Sequence, residues 1–336
     1  MKTAVLSPIA WRTPPAGYGP WEQVASNVAE GLVMKGVDVT LFATGNSITN
    51  GKLQHVAKTG YAENPHMDPK VWECLHISNM MEQAGKFDVI HNHFDFLPLT
   101  YTRLIKTPMV TTVHGFSSPK ILEVYKKYDS TSHYVSISNS DRSPDLHYTA
   151  TVYNGINAGE FTFRQSSKDY LLFFGRIHPE KGTYESIQIA KKAGRKLIIS
   201  GIIQDQGYFD SKIEPCINND DIVFVGNSGP DKRDTLMGEA YALLHPISFK
   251  EPFGLSVAEA MMCGTPVIAF NSGSMPELIL SGKTGFLVDT VDEAVQAVDD
   301  IRSINRKDCR EWAFSEFSRE RMIDGYLDVY EKILKM

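Results

Sequence analysis

The sequence predicts an α/β protein of two doubly wound domains, each a parallel sheet covered by helices. Three observations carry this. Short apolar runs alternate with helical patterns along nearly the whole chain. The 336 residues suffice for two cores of ordinary size. The polar segment Arg164-Gln165-Ser166-Ser167-Lys168 separates two successive series of such units and reads as a linker.

The first strand is the apolar run Thr3-Ala4-Val5-Leu6, too short for a signal peptide. It leads into the loop Pro14-Pro15-Ala16-Gly17-Tyr18-Gly19-Pro20. A helix from about Trp21 then places Val24, Val28 and Leu32 on one face. Gly36 ends it, and 37–42 is the second strand. Strand, glycine-bearing loop and helix form a binding unit in doubly wound folds, because the loop lies at the carboxyl edge of the sheet. The spacing Gly17-x-Gly19 lacks the third glycine of a dinucleotide fingerprint. Residues 45–70 read as an exposed excursion, followed by a helix over 69–84 and a strand over 87–91. That strand ends in His91-Asn92-His93-Phe94-Asp95, a metal-ligand set on paper, read here as a strand end with side chains to alternate faces. The strand over 107–113 ends at His114-Gly115, where α/β active sites form. Strands at 133–137 and 149–152 and the turn Tyr153-Asn154-Gly155-Ile156-Asn157 close the first domain.

The second half restarts with a strand over 170–174 and the loop Gly175-Arg176-Ile177-His178-Pro179-Glu180-Lys181-Gly182. Arg176 offers a planar fork for phosphate oxygens and Lys181 a point charge. Two cations on one strand-to-helix loop suit a diphosphate. Strands follow at 196–200, 222–225 and 240–245. The last delivers the chain to Glu251-Pro252-Phe253-Gly254-Leu255, a short helix carrying Glu259, the turn Gly264-Thr265-Pro266 and a strand to Ala269. Gly254 has no Cβ, so a ligand can approach its backbone. The N–H groups of Phe253, Gly254 and Leu255 lie at the start of the helix, where unsatisfied donors and the dipole favour an anion. Glu251 and Glu259 flank that position, and carboxylates accept hydrogen bonds from sugar hydroxyls. An anion cradle between two hydroxyl acceptors points to a nucleotide-sugar. A turn at 273–277, a strand over 284–288 and helices over 291–301, 307–316 and 319–334 complete the chain.

The net charge of −6 gives no support for nucleic-acid binding. Cys74, Cys216, Cys263 and Cys309 are scattered without metal spacing, which fits a reduced, cytoplasmic setting. No stretch reaches the ~18 apolar residues of a membrane span. Peripheral contact with the inner face of a membrane stays open.

Taken in order, Gly-Arg-(x)4-Lys-Gly, Glu-Pro-Phe-Gly-Leu, Glu-Ala-Met and Gly-Thr-Pro-Val-Ile resemble the retaining glycosyltransferases of family 4, with the GT-B fold. The Pro-Pro-(x)2-Tyr-Gly loop and His114 fit the same resemblance, which covers essentially the whole chain. It implies two Rossmann-like domains facing each other across a cleft: 1–164 for the acceptor and 165–316 for the nucleotide-sugar, with a helix over 317–336 returning to the first. On matching positions, it implies that Arg176 and Lys181 hold the donor diphosphate. Phe253, Gly254 and Leu255 would bind phosphate or sugar through backbone N–H groups. Glu251 would accept from the transferred sugar, Glu259 from the ribose, and His114 would contact the sugar near the reacting carbon. Gly19 would close over the diphosphate; Pro20 stands where the family usually has a second glycine. The implied reaction moves a hexose from a nucleotide-diphosphate sugar, UDP favoured over GDP, to a saccharide, a glycolipid or lipid-linked glycan, or a small molecule. It proceeds without a metal. The competing readings are a hydrolysing sugar-nucleotide epimerase of the same fold and a non-catalytic nucleotide-sugar-binding protein.

Overall fold

Every strand pairing in the two sheets is parallel, so each strand needs a crossover to reach the next. A computed structural model describes residues 1–116 and 119–335. The chain divides into two units, one of residues 1–155 with the chain from Arg319 onward, the other Ile156–Ser318.

In the first unit the order is β1 (Lys2–Leu6), α1 (Pro20–Met34), β2 (Asp38–Phe42), β3 (Lys52–Gln54), α2 (Pro69–Met81), β4 (Val89–Asn92), β5 (Met109–Val113), α3 (Leu122–Tyr128), β6 (His133–Ser136) and β7 (Tyr148–Thr151). The sheet runs β3-β2-β1-β4-β5-β6-β7. β4 and β5 are buried along their whole length, as strands covered on both faces must be. The chain turns to opposite sides after β1 and after β4, so a crevice opens between their carboxyl ends.

The second unit holds β8 (Tyr170–Phe174), α4 (Thr183–Lys192), β9 (Lys196–Ser200), α5 (Gln206–Tyr208), β10 (Ile222–Phe224), α6 (Pro230–Glu239), β11 (Ala242–His245), α7 (Leu255–Met262), β12 (Val267–Phe270), α8 (Met275–Leu278), β13 (Gly285–Val288), α9 (Val291–Asp300) and α10 (Arg306–Phe317). Its order, β10-β9-β8-β11-β12-β13, puts the reversal between β8 and β11. The Leu171, Ile187, Ile199, Leu244 and Ile268 side chains meet in its core.

The last helix, α11 (Arg319–Leu334), belongs to the first unit. Its buried face carries Met322, Ile323, Tyr326 and Tyr330. Gly31 of α1 lies against the Ile323 side chain, which a Cβ there would strike, so the two helices approach closely. Tyr326 Oη bonds Thr112 Oγ1 at 2.8 Å, and Tyr330 Oη reaches His91 Nδ1 at 2.6 Å.

Two expectations are corrected. Arg164–Lys168 is no linker: Arg164 pairs with Asp234 at 2.8 Å, its carbonyl accepts from Arg306 Nε at 2.7 Å, and Lys168 N–H bonds Glu239 O at 2.7 Å. The divisions therefore fall at 155/156 and 318/319, not at 164/165 and 316/317. Residues 45–70 are largely exposed, as the sequence suggests, but they are tied down: β3 adds to the sheet edge and Tyr61 N–H bonds Ile9 O at 3.1 Å. Among the described residues no helix is long and apolar enough to cross a membrane.

Candidate functional site

The crevice at the carboxyl ends of β8 and β11 is bounded by the two loops that the sequence singles out. From β8 the chain passes through Arg176 and Lys181 to α4; from β11 it passes through Glu251 and Gly254 to α7. Ser248 N–H bonds Glu180 O at 3.0 Å and ties one loop to the other. Gly182 adopts φ 75° with its α-carbon against the Pro246 carbonyl, leaving no room for a Cβ. That close approach brings Lys181 to Glu251, 2.5 Å from Nζ to Oε2, with side chains only 14% and 12% exposed. The Lys181 ammonium also stands 4.6 Å from the centre of the Phe249 ring.

Glu251 is enclosed as well by His245, whose Nε2 lies 3.7 Å from Oε2. Burial opposes ionisation of Glu251, but His245 and the Lys181 ammonium outweigh it and hold the carboxyl at about 2. Glu251 is thus an anion at neutral pH, suited to accept hydrogen bonds and not to donate them. Arg176 is half-buried and bonded to the Gln204 side-chain oxygen.

α7 starts at Leu255 with Gly254 as its N-cap, φ 92° and ψ 64°, and no side chain caps the first turn. The positive end of the helix dipole therefore faces this edge with no side-chain cap among the described residues. Gly273 crosses so close to the Glu251 backbone that a Cβ would collide with it. Ser274 N–H bonds Glu251 O at 3.0 Å, and its hydroxyl bonds Phe253 O at 2.7 Å. The Phe253 ring is buried, edge-on to Phe317 at 5.7 Å, so that side chain anchors the loop from below. Glu259 is buried and meets Arg233 Nη1 at 3.2 Å. Burial raises its pKa, against the pull of Arg233.

The first unit has its own cluster at the matching edge. His114 lies just past β5, 9% exposed, its ring stacked on Trp21 with centroids 5.5 Å apart. Its Nε2 meets His93 Nδ1 at 2.9 Å. Gly19 has φ 151°, and a Cβ there would stand 2.9 Å from Pro15 Cβ. Pro20 is the first residue of α1, where its missing N–H and fixed φ are no handicap. His91 and His93 lie on one face, rings 4.1 Å apart, whereas Asp95 accepts from Tyr125 Oη at 2.6 Å. Among the described residues no group of His, Cys, Asp and Glu is arranged to hold a metal ion.

Sequence reasoning missed Arg233, His245 and Glu22. Arg233 sits in the charged run Asp231-Lys232-Arg233-Asp234, which reads as a solvated helix face. His245 ends an apolar strand before a proline and carries no motif. Glu22, in the first turn of α1, accepts from Trp11 N–H at 3.2 Å, and burial pushes its carboxyl up to about 7. A carboxyl with a folded pKa above its unfolded value leaves stability full below about 4.5. Stability then falls as pH rises toward 7 and is flat beyond. Glu22→Gln should therefore gain on wild type by up to about 3 kcal/mol between pH 5 and pH 8. Melting curves at the two pH values check this; a constant difference between the proteins would sink it.

Residues 160–321 match the family described as "Glycosyl transferases group 1", and residues 21–158 match "Glycosyltransferase Family 4". The chain belongs to glycosyltransferase family 4. An uncharacterized glycosyltransferase of Methanocaldococcus jannaschii is 25% identical, over 97% of this chain and 94% of its own. The N-acetyl-alpha-D-glucosaminyl L-malate synthase of Bacillus anthracis is likewise 25% identical, over 77% of this chain and 78% of that one. Among solved structures, AviGT4, a glycosyltransferase of avilamycin A biosynthesis, superposes with a TM-score of 0.75 at 22% identity. That match covers 100% of this chain and 98% of AviGT4. HepE of Anabaena, solved with UDP-glucose, gives 0.72 at 17% identity, with both chains covered in full. These neighbours place the glycosyltransferase in the GT-B fold, with a Rossmann-like sheet in each unit.

Proposed function

We propose that this glycosyltransferase moves a hexose from a UDP-sugar, in preference to a GDP-sugar, to a hydroxyl of a saccharide, glycolipid or small-molecule acceptor. Configuration at the anomeric carbon is retained and no metal takes part. The observation that carries the reading is the gathering of Arg176, Lys181 and the uncapped start of α7 at one crevice. Two cations and a helix terminus there supply the counter-charge for a diphosphate. Glu251 and Glu259 are assigned to hydroxyls of the transferred sugar and of the ribose. The choice of UDP draws support from HepE, which was solved with UDP and with UDP-glucose.

In the proposed reaction the bond between the anomeric carbon and the diphosphate oxygen breaks, and charge grows on the diphosphate. Arg176, Lys181 and the first-turn N–H groups of α7 stabilise that charge where it develops. The acceptor oxygen bonds the anomeric carbon on the face the diphosphate leaves, and its proton passes to the leaving oxygen. No protein nucleophile is needed.

A thermal-shift series with UDP, GDP, ADP and their sugars tests the donor, since a ligand that binds only the folded state stabilises by RT ln(1 + [L]/Kd). UDP and a UDP-hexose should raise the melting temperature most; a larger shift with GDP would reverse the preference. Transfer should survive a chelator, and activity abolished by chelation and restored by manganese would refute metal independence.

A further inference from the structure

His91 and His93 share a face at the end of β4, yet only one has both ring nitrogens engaged. His91 places Nε2 2.8 Å from Thr112 Oγ1 and Nδ1 2.6 Å from Tyr330 Oη. His93 directs Nδ1 to His114 Nε2 at 2.9 Å, and its own Nε2 is buried with no partner among the described residues. One proton lies between the two rings, and its position sets both tautomers. If His114 Nε2 carried it, a neutral His93 would bear its proton on Nε2, an N–H buried without an acceptor. If His93 Nδ1 carries it, the orphan is a bare lone pair, the less costly of the two. His114 Nε2 then accepts, and the His114 proton must sit on Nδ1. Burial pushes His114 down to about 3 and His93 well below its ordinary value, so both rings are neutral at physiological pH.

We propose that His93 is a positioning residue that fixes His114 as the neutral Nδ1–H tautomer, so that His114 meets a bound sugar as a hydrogen-bond donor and not as a base. The Trp21 ring, stacked at 5.5 Å and 22° to His114, holds the plane of that donor. The sugar is the ligand named under the proposed function, and the inference rests on that reading. It leaves deprotonation of the acceptor hydroxyl to the departing phosphate oxygen, because an Nδ1–H imidazole whose Nε2 is already bonded has no lone pair to offer.

The full chain labelled with 15N-histidine tests this without substrate. Two-bond 1H–15N correlations distinguish protonated from bare ring nitrogens, and His114 is assigned by the signal lost in His114→Gln. A protonated Nδ1 and a bare Nε2 are expected; a protonated Nε2 overturns the proposal. Transfer absent with every nucleotide-sugar while His114 is Nδ1–H would instead fail the functional reading alone. Kinetically, His93→Asn, whose amide nitrogen stands in for Nδ1, should turn over about tenfold faster than His93→Phe, with the difference in kcat more than in the donor KM. Equal losses in the two variants would reduce His93 to packing and overturn its positioning role.

Discussion

Arg176→Ala and Lys181→Ala are each expected to lower kcat by about a hundredfold or more, the usual loss of ~3 kcal/mol when one donor to a developing oxyanion is removed. The two variants differ in what else they disturb. Arg176 is half-buried and bonds only the Gln204 side chain among the described residues, so its loss should leave the melting temperature close to wild type. Lys181→Ala removes the partner of a carboxylate that is 12% exposed. That costs about half of the ~3–5 kcal/mol seen for fully buried pairs, since solvent still reaches both groups. The double variant Lys181→Ala with Glu251→Gln should recover stability but not turnover. Steady-state kinetics with a UDP-hexose beside melting curves separate the effects, and near-normal turnover in either single variant would refute the assignment.

Gly182→Ala is expected to destabilise the second unit by at least about 3 kcal/mol, as two costs add. Alanine at φ 75° loses about 1–2 kcal/mol to the left-handed conformation. Its Cβ would also run into the Pro246 carbonyl, so the backbone must part where the two loops meet. Gly194 is the control: φ is 60° there too, but no atom lies within 4 Å of the position a Cβ would take. Gly194→Ala should cost only the conformational part, about 1 kcal/mol. Denaturant titrations of both variants check the pair, and equal losses would mean the Pro246 contact carries no weight. Gly182→Ala should in addition blunt the melting shift given by UDP, because Lys181 precedes the residue that moves.

The sheets were legible because their strands are apolar runs such as Leu171–Phe173 and Val267–Ala269, which only a doubly covered strand can bury. β3 escaped because Lys52–Gln54 is a three-residue edge strand with one half-buried side chain. α6 escaped because a run of Asp, Lys and Arg buries only Leu236, Met237 and Gly238. At the site, Arg176, Lys181, Glu251 and Gly254 were readable from spacing on two loops. The partners they meet were not: Gln204 follows β9 and comes near Arg176 only through the strand order, and His245 closes the apolar strand that leads into the Glu251 loop without a motif of its own. The tie between His93 and His114 depends on the pairing of β4 with β5, which no local pattern discloses.

The second unit begins and ends at one place. Ile156 N–H bonds Phe317 O at 2.7 Å, and Ile156 pairs with Ser318 in a parallel bridge. In the first unit, Gly155 N–H meets Met322 Sδ at 3.0 Å, so the exit and re-entry points of the chain are neighbours there as well. Ile156–Ser318 is therefore a cassette set into a host: two adjacent cuts release it whole, and a short splice between Gly155 and Arg319 reseals what remains. Closing so small a gap costs little chain entropy. A lineage that recombined genes at these two points could exchange the host while inheriting the cassette unaltered.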